Sequence, residues 1–390
     1  MSFDTLTHRI GTGSTKWDMT QPAFGIPANE ALPMWIADKD FEAPEFLQDA
    51  MRSLIARADY GYFCDLDSFH ETIRWWQHTR HFWQIDTDWL FTTCGLGNAI
   101  ALTIQCFTDP GDHVAIFTPV YHEFAAKIGR TERVVTELPL VVRDGVYALD
   151  FEAFEDRMTG KEKILLISSP HNPAGRVWTR AELQQMADFC ERHDLLLVSD
   201  EVHGDLVFKG HSYQPTHAAV PGIAPRLISM SAASKTFSIA GARTGYMVIP
   251  DPDLRARFAR FFRGFDISPN LLGVTLTRTA YSPEGAAWVD QLMPYLQTNR
   301  DLFCAGVDEI PGLTAMPMQS TYLAWVDFSG TGMDRAEIHT RLQEGAQIAA
   351  TPGHTLGTGG ETYMRFNLGT QKARVQDALD RLSSAFADLQ

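Results

Sequence analysis

Cysteine is scarce in this chain and runs of positive charge are missing, and both shortages narrow what it can be. Five cysteines (Cys64, Cys94, Cys106, Cys190 and Cys304) are scattered over 390 residues with no C-x-x-C spacing. An odd, dispersed set supports neither a disulfide framework nor a zinc knuckle. Lys and Arg number 33 against 48 Asp and Glu, for a formal net charge of −15. That balance disfavours nucleic acid and acidic membrane surfaces as partners and leaves a small molecule as the expected ligand. No apolar run approaches the roughly 20 residues that span a bilayer. The opening MSFDTLTHRIGTGSTKWD lacks the basic start and apolar stretch of a signal peptide. The expectation is a cytoplasmic protein. There is no G-x-S-x-G, so an α/β-hydrolase nucleophile is missing too.

What is present is ordinary in bulk and specific in pattern. The chain is 45% hydrophobic and 21% charged, enough for one large core and a smaller unit. Apolar spacing in PEFLQDAMRSLIAR and SFHETIRWWQHTRHFW predicts two early helices. From residue 89, β-rich runs alternate with helical stretches: WLFTTC, HVAIFTP, KILLISSP, DLLLVSDE and RLISMS. ILLI and LLLV do not alternate with polar residues, which suits strands covered on both faces. Strand–helix–strand order implies a largely parallel α/β sheet, with TGYMVIP as a possible added strand. After residue 283 a long helical stretch leads to STYLAWVDF, RAEIHTRLQEG, TYMRFNLG and a final amphipathic helix. This reads as a smaller α+β unit that packs with the N-terminal arm.

Ligands of parallel sheets gather outside the carboxyl ends of the strands. At those ends stand Tyr121 after VAIFTP, Asn172 between two prolines, Asp200 in LLLVSDE, and Lys235 in SMSAASK. Gly95, Leu96 and Gly97 form a glycine turn that opens a helix. An amine, an acid, an amide, an aromatic face and a helix N-terminus fit a phosphorylated aromatic aldehyde. The amine can form a Schiff base, the acid can keep a ring nitrogen protonated, and the amide can donate to a ring oxygen. The helix N-terminus can bind phosphate. That ligand is pyridoxal 5′-phosphate.

SPHNPAGRVWT, VSDEVHGDLVF and ASKTFSIAGARTGY, in that order, resemble fold-type I pyridoxal-phosphate enzymes of the aspartate aminotransferase superfamily. MWIADKDFEAP, YGYF and DEVHGDL narrow the resemblance to the cystathionine β-lyase-like C–S lyases of the MalY/PatB group. The similarity runs from about residue 15 to the end. It implies a transferase-like α/β large domain (46–284) with a mostly parallel, seven-stranded-type sheet. A smaller α+β domain would come from the arm (1–45) and the C-terminal part (285–390).

The resemblance also implies roles. Lys235 matches the Schiff-base lysine, Asp200 the partner of the ring nitrogen, Asn172 the ring-oxygen donor and Tyr121 the stacking aromatic. His203 stands where aminotransferases usually have a ring-contacting tyrosine, though a histidine merely packed behind the site would look the same. Tyr62 resembles the tyrosine that reaches the neighbouring subunit's phosphate, which implies a homodimer with shared sites. Arg365 matches the clamp on the substrate α-carboxylate, with the backbone near Ala37 facing the same group. Ala232 replaces a phosphate-binding serine of aminotransferases, leaving Ser234 to supply a hydroxyl. Arg243 matches a phosphate-binding arginine common in aminotransferases and often absent from the lyases.

The implied activity is α,β-elimination from cystathionine or cysteine S-conjugates. The alternatives are an L-amino acid aminotransferase and a non-catalytic regulator of the same fold. Asp200, Glu201, His203 and Asp205 imitate a metal site, but no metal is expected. GLGNAI lacks the third glycine of a dinucleotide fingerprint.

Overall fold

The apolar runs that do not alternate become the middle of a sheet, and the structure, a computed structural model describing residues 3–389, shows why. Its large sheet has seven strands: β1 (Leu90–Thr93), β2 (His113–Thr118), β3 (Val134–Pro139), β4 (Glu162–Ser168), β5 (Leu196–Asp200), β6 (Leu227–Ser231) and β7 (Gly245–Val248). Their spatial order is β1-β7-β6-β5-β4-β2-β3, and β7 alone runs antiparallel to its neighbours. Alternate residues of each strand enter different cores. Val114, Ile116, Ile164, Leu166, Val198 and Ile228 pack on one face with Ile100, Phe124 and Phe258 of the helices Leu96–Phe107, Glu123–Arg130 and Pro252–Arg263. Ala115, Phe117, Leu165, Ile167 and Leu197 pack on the other with Leu183, Met186 and Phe189 of the helix Arg180–Arg192. With a core on each side, the middles of these strands are mostly apolar, and each buried branched side chain contributes about 1.5–3 kcal/mol.

The helices are set by local chemistry. Thr179 and Glu182 form a reciprocal capping box on Arg180–Arg192. Asp251 caps Pro252–Arg263, with proline at the first turn where its missing N–H costs nothing. The 26-residue helix Pro283–Asp308 starts from the Ser282 side chain.

A second sheet, β8 (Thr314–Ala315), β9 (Leu323–Asp327), β10 (Thr351–Pro352) and β11 (Tyr363–Asn367), is antiparallel in the order β8-β9-β11-β10. Leu32–Pro33 pairs in parallel with Ile348–Ala349, so the N-terminal arm is stitched to the C-terminal part of the chain. Among the described residues no helix is long and apolar enough to cross a membrane.

Several elements depart from the sequence reading. RAEIHTRLQEG splits into an α-helix, Arg335–Thr340, and a π-helical turn, Arg341–Gly345. The helices Pro252–Arg263 and Leu271–Ala280 and the edge strand β3 were not expected. β3 carries Glu137 and Pro139 and begins on an exposed valine, so it lacks the apolar signature of its neighbours.

Candidate active site

Register puts the reactive ends side by side. Ser168 at the end of β4 lies opposite Asp200 at the end of β5, and Asp200 lies opposite Met230 of β6. Lys235 follows on a single helical turn, Ser234–Phe237. The Tyr121 amide donates to the Asn172 carbonyl at 3.2 Å, tying the segment after β2 to the segment after β4. The Asn172 amide donates to Ser168 Oγ at 3.3 Å.

Lys235 Nζ donates to the Ala37 carbonyl at 2.9 Å, and the Tyr322 hydroxyl donates to the same oxygen at 3.0 Å. Burial lowers the amine's pKa; Asp38 and Asp200 oppose that and Arg365 adds to it. Asp200 is buried and accepts one backbone amide, that of Val202 at 3.2 Å. Burial pushes its carboxyl up to about 7. A carboxylate offers about four acceptor positions, so this one is short of donors.

Arg365, buried on β11, donates to Asn172 Oδ1 (2.9 Å), the Trp35 carbonyl (2.9 Å) and Thr351 Oγ1 (3.1 Å). All three acceptors are uncharged, and its Nε has no partner. Burial lowers its pKa to about 10, still far above neutrality. A buried guanidinium bonded only to neutral groups is poised for an anion.

His203 is buried, with Nδ1 unpartnered and its ring 6.3 Å from that of Tyr322. Burial, then Lys235, Arg365 and Lys39, hold it well below its usual pKa, so the ring is neutral. Gly95 precedes the helix Leu96–Phe107 at φ +88°, a conformation other residues avoid. A Cβ there would stand 4.0 Å from the Arg243 backbone, so Arg243 adjoins the glycine turn, its own side chain exposed. Ser234 begins the turn that carries Lys235. Tyr62 is wholly exposed.

The acidic cluster that imitates a metal site divides its loyalties. Glu201 accepts from Ser199, Tyr213 and the Thr216 amide. Asp205 accepts from Trp76 and Thr236 and pairs with His81. Sequence reading missed Tyr322, Thr351 and Lys39. Each touches the site from a distant segment; Lys39 lies within MWIADKDF and Thr351 opens TPGHTLGTGGE, but neither residue type marks a role there.

These features suit pyridoxal phosphate. The underfilled Asp200 calls for a cationic donor, and the orphaned Nδ1 of His203 and Nε of Arg365 call for polar partners. The glycine turn opens a 12-residue helix, whose first amides and dipole suit an anion.

The family model "Aminotransferase class I and II" matches residues 42–382. Cystathionine beta-lyase PatB of Bacillus subtilis (strain 168) is 35% identical over 390 residues, covering 99% of this chain and 100% of that protein. Protein MalY of Escherichia coli (strain K12) is 30% identical over 388 residues, 98% of each. The crystal structure of cystalysin from Treponema denticola, which contains a pyridoxal 5′-phosphate cofactor, superposes with a TM-score of 0.94 at 33% identity. It covers 100% of this chain and 99% of that one.

Proposed function

The chain belongs to the class I and II aminotransferase family, and from that premise we propose that it is a pyridoxal 5′-phosphate-dependent carbon–sulfur β-lyase. Its substrates are cystathionine and related cysteine S-conjugates; each takes up one water and leaves as a thiol, pyruvate and ammonia. The carrying observation is the Lys235 amine, held on the Ala37 carbonyl with Arg365 and Asp200 both acting on its charge.

When bound, pyridoxal phosphate supplies a carbon that condenses with amines and a ring that accepts the electron pair left on the substrate α-carbon. Lys235 Nζ would hold it and, once released, would take the α-proton. Its lowered pKa keeps more of the amine in the unprotonated form that can act as a base. Asp200 would keep the ring nitrogen protonated. Asn172 would donate through Nδ2, its Oδ1 already engaged by Arg365. Tyr121 would stack on the ring, and His203 would contact it where aminotransferases usually have a tyrosine. The amides of Gly95, Leu96 and Gly97, with Ser234 and Arg243, would receive the phosphate.

Arg365 would receive the substrate α-carboxylate through paired N–H donors, beside the backbone of Trp35 to Ala37. Replacing Arg365 with leucine is expected to lower kcat/KM about a hundredfold, chiefly through KM, as two charge-assisted hydrogen bonds are lost. Steady-state pyruvate release checks this; a change in kcat alone would contradict the clamp.

The proposed active unit is a cytoplasmic homodimer. The wholly exposed Tyr62 and the largely exposed Tyr60 support it, being apolar rings that a second copy can cover. The division into 46–284 and a unit built from 1–45 and 285–390 is likewise proposed, supported by the pairing of Leu32–Pro33 with Ile348–Ala349.

Arg243 beside the glycine turn favours a second reading, an aminotransferase. The deciding test is L-cystathionine without a keto-acid acceptor: pyruvate should appear continuously. No pyruvate, with other amino acids converting the bound cofactor once to its amine form, would establish the transferase instead.

A further inference from the structure

Lys39 is wholly buried, yet both acceptors of its amine are backbone carbonyls. Nζ donates to the carbonyl of Lys235 at 2.5 Å and to that of Thr236 at 3.0 Å. The turn Ser234–Phe237 is too short to satisfy its own last carbonyls. The Ser234 carbonyl already accepts the amides of Ser238 and Ile239, which leaves the next two for Lys39. On the side-chain side of the same turn, Thr236 Oγ1 donates to the partly buried Asp205 at 2.8 Å. The turn is therefore gripped twice, once by its backbone and once by its side chain.

The path for Lys39 is built. A Cβ on Gly369 would lie 2.6 Å from Lys39 Cγ, so glycine there makes room for the stem. The amine lies 5.0 Å from the ring centre of Tyr322, whose hydroxyl shares the Ala37 carbonyl with Lys235. Removing an ammonium from water is unfavourable, and burial lowers this one to about 7, with Lys235 and Lys16 adding to the shift and Asp38 opposing it. A methionine of similar length would fill the space without that penalty. The bonds to the turn are what the amine adds.

We propose that Lys39 is a positioning residue for Lys235, anchoring the backbone of its turn so that the reactive amine returns to one place after each cycle. The proposal rests on the role of Lys235 given above. Both carbonyls can be served by two N–H bonds, which the neutral and charged amines each possess, so the anchor holds on either side of neutrality.

The test is Lys39→Met, with Lys39→Gln keeping two N–H donors on a shorter, uncharged stem. Cofactor-free protein is mixed with pyridoxal phosphate, and the growth of the visible absorbance band is timed. Lys39→Met is expected to slow that growth about tenfold. It should lower kcat by a similar factor while KM stays within about twofold, since a displacement near 1 Å suffices for such losses. Lys39→Gln should lie between the methionine variant and the native protein, and it carries the test if the methionine variant does not fold. Native band growth and kcat in both variants, with only a lower Tm, would reduce Lys39 to packing and overturn the proposal. A native protein that forms the band but releases no pyruvate overturns the lyase reading alone, because band growth reads the anchor without turnover.

Discussion

Replacing Lys235 with alanine is expected to leave the protein folded, remove the visible band of the covalently held cofactor, and slow pyruvate release about 10⁴-fold. Three contributions disappear together. The tether to the cofactor is lost, the base that takes the α-proton is lost, and so is the amine that displaces product. Stability moves little. The one hydrogen bond lost, to the Ala37 carbonyl, is worth about 1 kcal/mol, and the Tyr322 hydroxyl remains on that oxygen. Against this, the variant no longer places an amine in a site where burial already lowers its pKa. Absorbance spectra, a thermal melt and pyruvate assays check the three parts. Added methylamine, small enough to enter the space left by the side chain, is expected to restore a fraction of turnover. A variant that keeps the native spectrum and turns over within tenfold of the native rate would contradict the assignment.

The parts of this molecule that could be read from sequence are those where one physical rule acts alone. A strand with a core on each face must be mostly apolar, so β4 and β5 stand out as ILLI and LLLV, and β6 as LISM with one small serine. Their ends then name Asp200 and the neighbourhood of Lys235 without any knowledge of register. Glycine at φ +88° before a helix leaves a similarly direct trace. Elements under mixed demands were silent. β3 lies at an edge and is partly exposed. The helix Pro252–Arg263 buries only Phe258 fully and carries four arginines, so its apolar stripe is thin.

The contacts that cross the chain were silent too. Arg365 meets Asn172 across 193 positions, and Lys39 meets Lys235 across 196. Arg365 could be named through resemblance, since MRFNLG matches a motif. The partners that orient it, Thr351 and the Trp35 carbonyl, could not, because a backbone oxygen leaves no mark on residue type. Lys39 had a further disguise. In MWIADKDF it reads as one more polar residue among charges, and only the fold puts it in the interior.

Asp200→Asn is the substitution that separates the cost of the buried acid from its use. The carboxyl lies near 3.8 in an unfolded chain and is pushed up to about 7 by burial here. Between those values the folded, cofactor-free protein binds a proton that the unfolded chain has released. Its stability is therefore fully present below about pH 4 and is lost as pH rises through about 7. The fall amounts to at most about 4 kcal/mol for a shift near three units. Asparagine cannot ionise and should lack this fall, making the cofactor-free variant more stable than the native protein at pH 8 and little different at pH 4. The lowered amine of Lys39 also makes stability depend on pH, but it remains in both proteins and cancels in the comparison, whereas Lys235 loses the opposing charge of Asp200 and its amine is lowered further in the variant. Turnover should move the opposite way. Without a negative charge to hold the ring nitrogen protonated, the loaded variant is expected to release pyruvate about 10³-fold more slowly. Denaturant midpoints of both cofactor-free proteins at pH 4 and 8, beside kcat of both loaded enzymes, read the two halves independently. Equal midpoints at pH 8 would show that the Asp200 carboxylate is solvated or already paired, and an unimpaired kcat would show that the cofactor nitrogen does not lean on it.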